Sequence, residues 1–269
     1  MALLEIACFT PESAIRAYDA GADRIELCDD REAGGTTPSM ETLRAVKEQV
    51  TVPVYVMIRA RGGNFVYTEA EFGRMLDDVD RFKASAEGFV FGVLGDGNDV
   101  DIERTTQLVA RASPLPCTFH RAFDEAQDQL QALEDVMGCG CKAILTSGGA
   151  PNAAAGAVSL AKLVEQAEGR IQIIVGGGVR SENAAELAEV TKAKAYHSSA
   201  ILEGCADVDM DEVRQLKALL CQPQVHAAAS PHPAQQARYI AKMGSSASYM
   251  AAVSAGPNTP KDEMERRLR

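Results

Sequence analysis

His120 and His197 each sit at the end of a short β-prone run, and histidine is the side chain that exchanges protons most readily near neutral pH. Glu26, in another such run, could orient one of these rings. With Arg59 the four make a candidate set for general acid–base catalysis. Arg59, Arg61 and Arg121 keep their charge at physiological pH and can clamp a carboxylate or phosphate through two parallel hydrogen bonds. Gly176, Gly177 and Gly178, followed by Ser181 and later by Ser198 and Ser199, resemble loops that aim backbone N–H groups at an anion. Arg61, Arg121, Gly176, Gly177, Gly178 and Ser198 are therefore candidate anion-binding residues. Each also has a plainer reading. A glycine run serves a tight strand-to-helix turn, and the arginines could pair internally with Glu5, Glu26 and Asp124.

For these residues to meet, the runs that carry them must lie side by side. Eight β-rich runs follow one another, at 3–8, 24–28, 52–59, 88–94, 116–123, 142–149, 171–179 and 195–200. Segments between them, such as SAIRAYDAGA and AVSLAKLVEQAEG, place apolar residues three and four apart, the pattern of an amphipathic helix. Strand–helix alternation implies parallel strands joined by right-handed crossovers. Eight such units predict a closed (β/α)8 barrel, with an open doubly wound sheet as the alternative. In a barrel the βα loops gather at the C-terminal ends of the strands, which is where the residues above fall. The barrel is expected over residues 1–222. Residues 223–269 hold five of the eleven prolines and most of the segment QPQVHAAASPHPAQQ, and are expected to form a disordered tail.

Charge limits the partners. Residues 1–222 carry 21 Lys and Arg against 35 Asp and Glu, a poor surface for nucleic acid or an anionic membrane. No stretch reaches the length of a membrane span, and MALLEIACFTPES lacks the basic start of a secretory signal. Seven scattered cysteines, an odd number, read as reduced thiols of a cytoplasmic or nucleocytoplasmic protein.

The strings GADRIELC, GGTTPS, PVYVMIRARGGNFVY, PCTFHRAFD, AILTSGG and IIVGGGV, then YHSSA, follow one another in a match that runs from about residue 3 to residue 200. Together they resemble the signature blocks of the CutC copper-homeostasis family. Ala60 stands where that family has proline in MIRPRGG, which leaves the loop after the third strand less constrained. The resemblance implies a (β/α)8 barrel, a cytoplasmic or nuclear location, self-association as a homo-oligomer, and a role in copper binding. It places Cu(I) on Cys8 and Cys28, the strand-end thiols, and soft Cu(I) does prefer thiolates. Strand parity works against this pair, because if Glu5 faces into the barrel then Cys8 faces out, unless the strand end escapes the alternation. Cys139 and Cys141 precede the sixth strand and belong to the opposite face. The alternative is a barrel enzyme, a lyase, isomerase or hydrolase acting on a small phosphorylated or carboxylated metabolite.

Overall fold

Every run expected to be a strand contains one. They are β1 (Leu3–Cys8), β2 (Arg24–Leu27), β3 (Val54–Met57), β4 (Gly88–Phe91), β5 (Cys117–Phe119), β6 (Ala143–Thr146), β7 (Gln172–Val175) and β8 (Ala195–Ser198). All pair in parallel and close in sequence order, β1 to β8, with β8 returning to β1. The structure, a computed structural model, describes residues 2–221, so the expected tail at 223–269 lies outside the described residues. Several strands end short of their apolar runs because the chain leaves the ladder while still buried. Residues Arg121–Glu125 of the fifth run, for example, form a turn of 3-10 helix.

The crossovers are α1 (Pro11–Asp19), α2 (Met40–Lys47), α3 (Glu69–Phe82), α4 (Ile102–Ala112), α5 (Gln129–Gly138), α6 (Ala157–Ala167) and α7 (Ser181–Thr191), and α8 (Met210–Cys221) follows β8. Most start on a side-chain oxygen that accepts from the first turn: Thr10, Ser39, Thr68, Asp101 and Asp128. Thr68 and Glu71 complete a reciprocal capping box. Among the described residues no helix is long and apolar enough to cross a membrane.

Alternation along each strand divides the core into two shells. On β1, Leu4, Ile6 and Cys8 are fully buried on the helix side, while Glu5 and Ala7 face the barrel interior. An apolar plug of Ala143, Leu145, Ile174 and Ala195, with Leu3 against it, fills the interior toward the N-terminal ends of the strands. The β4 strand contributes little bulk inside. A Cβ on Gly88 would stand 2.6 Å from the Tyr55 ring, and one on Gly92 would stand 2.5 Å from His120 Nδ1. Bare positions at the start of β4 and just past its end thus leave room for Tyr55 of β3 and for His120 after β5.

Candidate functional site

Parallel register sets Glu5 of β1 level with both Arg24 of β2 and His197 of β8. Arg24 Nε donates to Glu5 Oε2 at 2.5 Å, and His197 Nδ1 lies 2.7 Å from Glu5 Oε1. Burial alone would raise the Glu5 carboxyl, but Arg24 and His197 outweigh it and hold Glu5 well below the usual carboxylate range. An ionised Glu5 can only accept, so His197 Nδ1 is the donor and Nε2 is left to face Glu26 Oε2 at 3.8 Å. Burial pulls the His197 pKa down; Glu26 and Glu5 reverse that and leave it raised. Glu26 is itself raised, first by burial and then by the neighbouring Glu5 charge.

His120 is held differently. It precedes the 3-10 turn and caps it, with Nδ1 accepting from Ala122 N–H at 3.2 Å. Burial, and then the Arg59 charge, lowers its pKa to about 3. At neutral pH the ring is uncharged, and with Nδ1 committed as an acceptor the proton resides on Nε2. That N–H has no partner among the described residues and is buried. The Phe65 ring packs against the imidazole at a centroid distance of 4.9 Å. His120 is therefore a neutral hydrogen-bond donor.

Arg59 is 5% exposed, and carbonyl oxygens hold its guanidinium: Nη1 donates to Ala33 O and Gly35 O, and Nη2 to Gly63 O. Its Nε is buried without a partner, and Phe65 covers one face at 4.8 Å. Arg121 Nε pairs with Asp124 at 2.7 Å, and Nη2 reaches Ser147 Oγ. Arg180 was not anticipated from sequence. It donates to Ser198 Oγ at 2.8 Å and to Ser199 Oγ, Val179 O and Ile201 O. Among the described residues neither Arg59 nor Arg180 has a carboxylate within ion-pair distance.

These side chains surround one cavity of about 240 Å³ at the C-terminal mouth of the barrel. Of the residues expected from sequence, Glu26, Cys28, Arg59, His120, Arg121, Gly177, Gly178, His197 and Ser198 line it. Arg61, Gly176 and Cys8 do not. Arg61 binds Glu71 at 2.7 Å and the carbonyls of Gly62, Asn64 and Val66, and so braces the loop after β3. Gly176 is bare because a Cβ there would stand 2.4 Å from Leu145 Cδ1. Cys8 Sγ contacts Ile6 O at 3.6 Å, whereas Cys28 Sγ–H donates to Glu26 Oε2 at 3.5 Å from the cavity wall. Burial, then Glu26, raises both thiols well above their usual pKa. Ser181, expected beside the glycine loop, gives its N–H and hydroxyl to Glu212, which occupies the start of α7.

The model of the CutC family matches residues 2–202, which include the whole barrel sheet and every candidate residue above. The chain belongs to the CutC family. The human copper homeostasis protein cutC homolog is 44% identical over 199 residues, covering 74% of this chain and 73% of its own length. A family protein CutC of Chromobacterium violaceum is also 44% identical, covering 74% of this chain and 81% of its own. The solved structure of the CutC from Streptococcus agalactiae superposes with a TM-score of 0.70 at 34% identity, over 74% of this chain and 99% of that one. Phosphoribosylanthranilate isomerase of Thermotoga maritima shares the barrel at a TM-score of 0.55 and 14% identity, covering 82% of this chain and 98% of that one, a likeness of fold alone.

Proposed function

We propose that this chain acts in copper homeostasis by holding Cu(I), as cargo, at Cys8 and Cys28, in the reducing cytosol or nucleus and as a homo-oligomer. The observation that carries this reading is the position of Cys28. Among the described residues it is the only thiol on the wall of the mouth cavity, and it packs against Met57. Thiolate and thioether sulfur are both soft donors of the kind Cu(I) selects. Cys8 ends the adjoining strand, and Cys28 N–H donates to Cys8 O at 2.9 Å. For its sulfur to join Cys28 on one ion, Cys8 must rotate away from Ile6 O, and each thiol gives up its proton on binding. The names of the human and mouse relatives support the role, and every described cysteine is free, as a reducing compartment requires.

The test is anaerobic competition against a chromogenic Cu(I) chelator. One Cu(I) per chain is expected, lost when Cys8 and Cys28 are both replaced by serine and retained in Cys139→Ser and Cys141→Ser. A double variant that holds copper as tightly as the parent would show that the thiols are not the site. Light scattering on the same samples reads the oligomeric state.

A further inference from the structure

Among the described residues, three buried polar atoms on the wall of the mouth cavity lack partners: Glu26 Oε1, Arg59 Nε and His120 Nε2. Their residues are 3%, 5% and 4% exposed, and all three line the same cavity. A buried polar group left unpaired is costly, so their meeting in one cavity points to a polar occupant that pairs them. The ligand's chemistry follows from the atoms. Two N–H donors, from a neutral imidazole and a guanidinium, require acceptor oxygen, and a carboxylate oxygen requires a hydroxyl.

The opposite wall is built for an anion. Arg180 faces the cavity without a carboxylate partner, and Arg121 stands beside Gly177. A Cβ at Gly177 would lie 3.1 Å from Ser147 Cβ and 3.3 Å from Arg121 Cζ, and its φ of +92° also favours glycine. Among the described residues, the N–H groups of Gly177 and Gly178 donate to no protein acceptor, while Glu212 already fills the nearby helix start. Two adjacent amides of positive-φ residues lie near Arg121, which also pairs with Asp124, on the wall that carries Arg180, a setting suited to an anion.

We propose that this cavity binds a small phosphorylated hydroxycarbonyl compound and enolises it, with His197 moving the proton. The phosphate lies against Arg180, Arg121 and the Gly177–Gly178 amides, and the carbonyl oxygen accepts from His120 Nε2–H and Arg59 Nε–H. His197 acts in its neutral form, which gains as the pH rises because Glu26 and Glu5 favour the protonated ring. With Nδ1–H fixed on Glu5, Nε2 takes the proton from the carbon beside the carbonyl. The C–H electron pair becomes the new C=C bond and the carbonyl π pair moves onto oxygen. The His120 and Arg59 donors stabilise that oxyanion. Return of the proton to carbon closes the cycle without a change of oxidation state, and needs no co-reactant. A neutral, depressed-pKa histidine polarising a carbonyl is a known solution to this chemistry. The cavity of about 240 Å³ suits a small substrate. The chemistry uses no thiol, but Cys28 shares the cavity wall and donates to Glu26, so the probes are titrated on copper-free protein.

The test compares three probes on the full chain by isothermal titration: inorganic phosphate, 2-phosphoglycolate and the enediolate mimic phosphoglycolohydroxamate. A site complementary to the enolate should bind the hydroxamate at least about 100-fold more tightly than phosphoglycolate. His120→Asn should bring the two within about tenfold of each other, because it removes the Nε2 donor. Arg180→Gln should weaken both alike, and the surface change Arg170→Gln should affect neither. If His120→Asn does not fold, the ratio measured on the parent chain decides alone. Equal affinity for hydroxamate and phosphoglycolate overturns enolisation. Absence of saturable binding by any probe at matched ionic strength overturns the anion site as well. Copper affinity, read by chelator competition, is unaffected by either outcome.

Discussion

Acid should destabilise this barrel through His120, in a pH range where most carboxylates are still ionised. The folded ring titrates at about 3 because it is buried and Arg59 lies beside it, whereas the ordinary value is 6.5. Between those values the unfolded chain binds a proton that the folded chain refuses, so stability falls as the pH falls. From pH 7 to pH 5 the loss from this one group is about 2 kcal/mol, since each unit below 6.5 costs up to ~1.4 kcal/mol. His197 acts in the opposite sense: its folded pKa is raised, so its contribution is present at low pH and declines as the pH rises through that value. The two are separated by replacing only His120. Urea midpoints for the parent and for His120→Gln, taken at half-unit steps from pH 7 to pH 5, give the difference directly. The variant, uncharged throughout, should lose about 2 kcal/mol less than the parent over that interval. Parallel curves would mean that His120 protonates freely in the folded state, and its assignment as a fixed neutral donor would fail.

Two further changes probe how the site is built. Gly92→Ala would put a methyl group 2.5 Å from His120 Nδ1 and 2.9 Å from Ala122 Cβ, so a loss of about 1–3 kcal/mol in denaturant unfolding is expected, with hydroxamate binding weakened because the ring must move. Glu5→Ala leaves Arg24 buried without its partner and should cost about 3–5 kcal/mol, a larger effect than Arg170→Ala at the exposed Arg170–Glu134 pair, and differential scanning calorimetry of the two variants ranks them.

The barrel was legible because eight apolar runs alternate with amphipathic segments, and that periodicity survives whatever the side chains do at the mouth. Strand parity was legible too. It sets Glu5 and Ala7 inward, and Cys8 follows Leu4 and Ile6 outward even at the last residue of β1. Parity gives no guidance once the ladder ends. Arg59 and Arg61 are two residues apart and would share a face on a strand, but β3 stops at Met57, so Arg59 turns to the mouth and Arg61 to Glu71. Arg180 escaped notice because it follows the glycine run in a loop, where no pattern says which way a side chain points. The pairing of Glu5 with Arg24 needs the β1–β2 register, which a single sequence does not display. Ser181 was credited to the anion loop; the competing acceptor, Glu212, comes from α8, 31 residues further along the chain.

The inside of the barrel holds charge at two levels. At the level of Glu5, Arg24 and His197, both oxygens of the buried carboxylate are engaged, although Arg24 Nη2 has no partner among the described residues. One layer higher, Glu26, Arg59 and His120 each leave one buried polar atom unpaired. Buried polar atoms without protein partners are few in folded proteins, so three on one cavity wall mark it for a polar occupant. A core shaped only for stability would replace these groups with apolar ones, as the same barrel does at Leu145, Ile174 and Ala195. The lower level is what makes the upper one usable. It fixes the His197 ring through Nδ1 and leaves Nε2 for the cavity, just as the 3-10 turn fixes His120 and frees its Nε2–H. In both rings one nitrogen is committed to the protein so that the other has a defined role at the mouth. On the proposed enolisation, that division gives the cavity a proton acceptor on one wall and a donor on another.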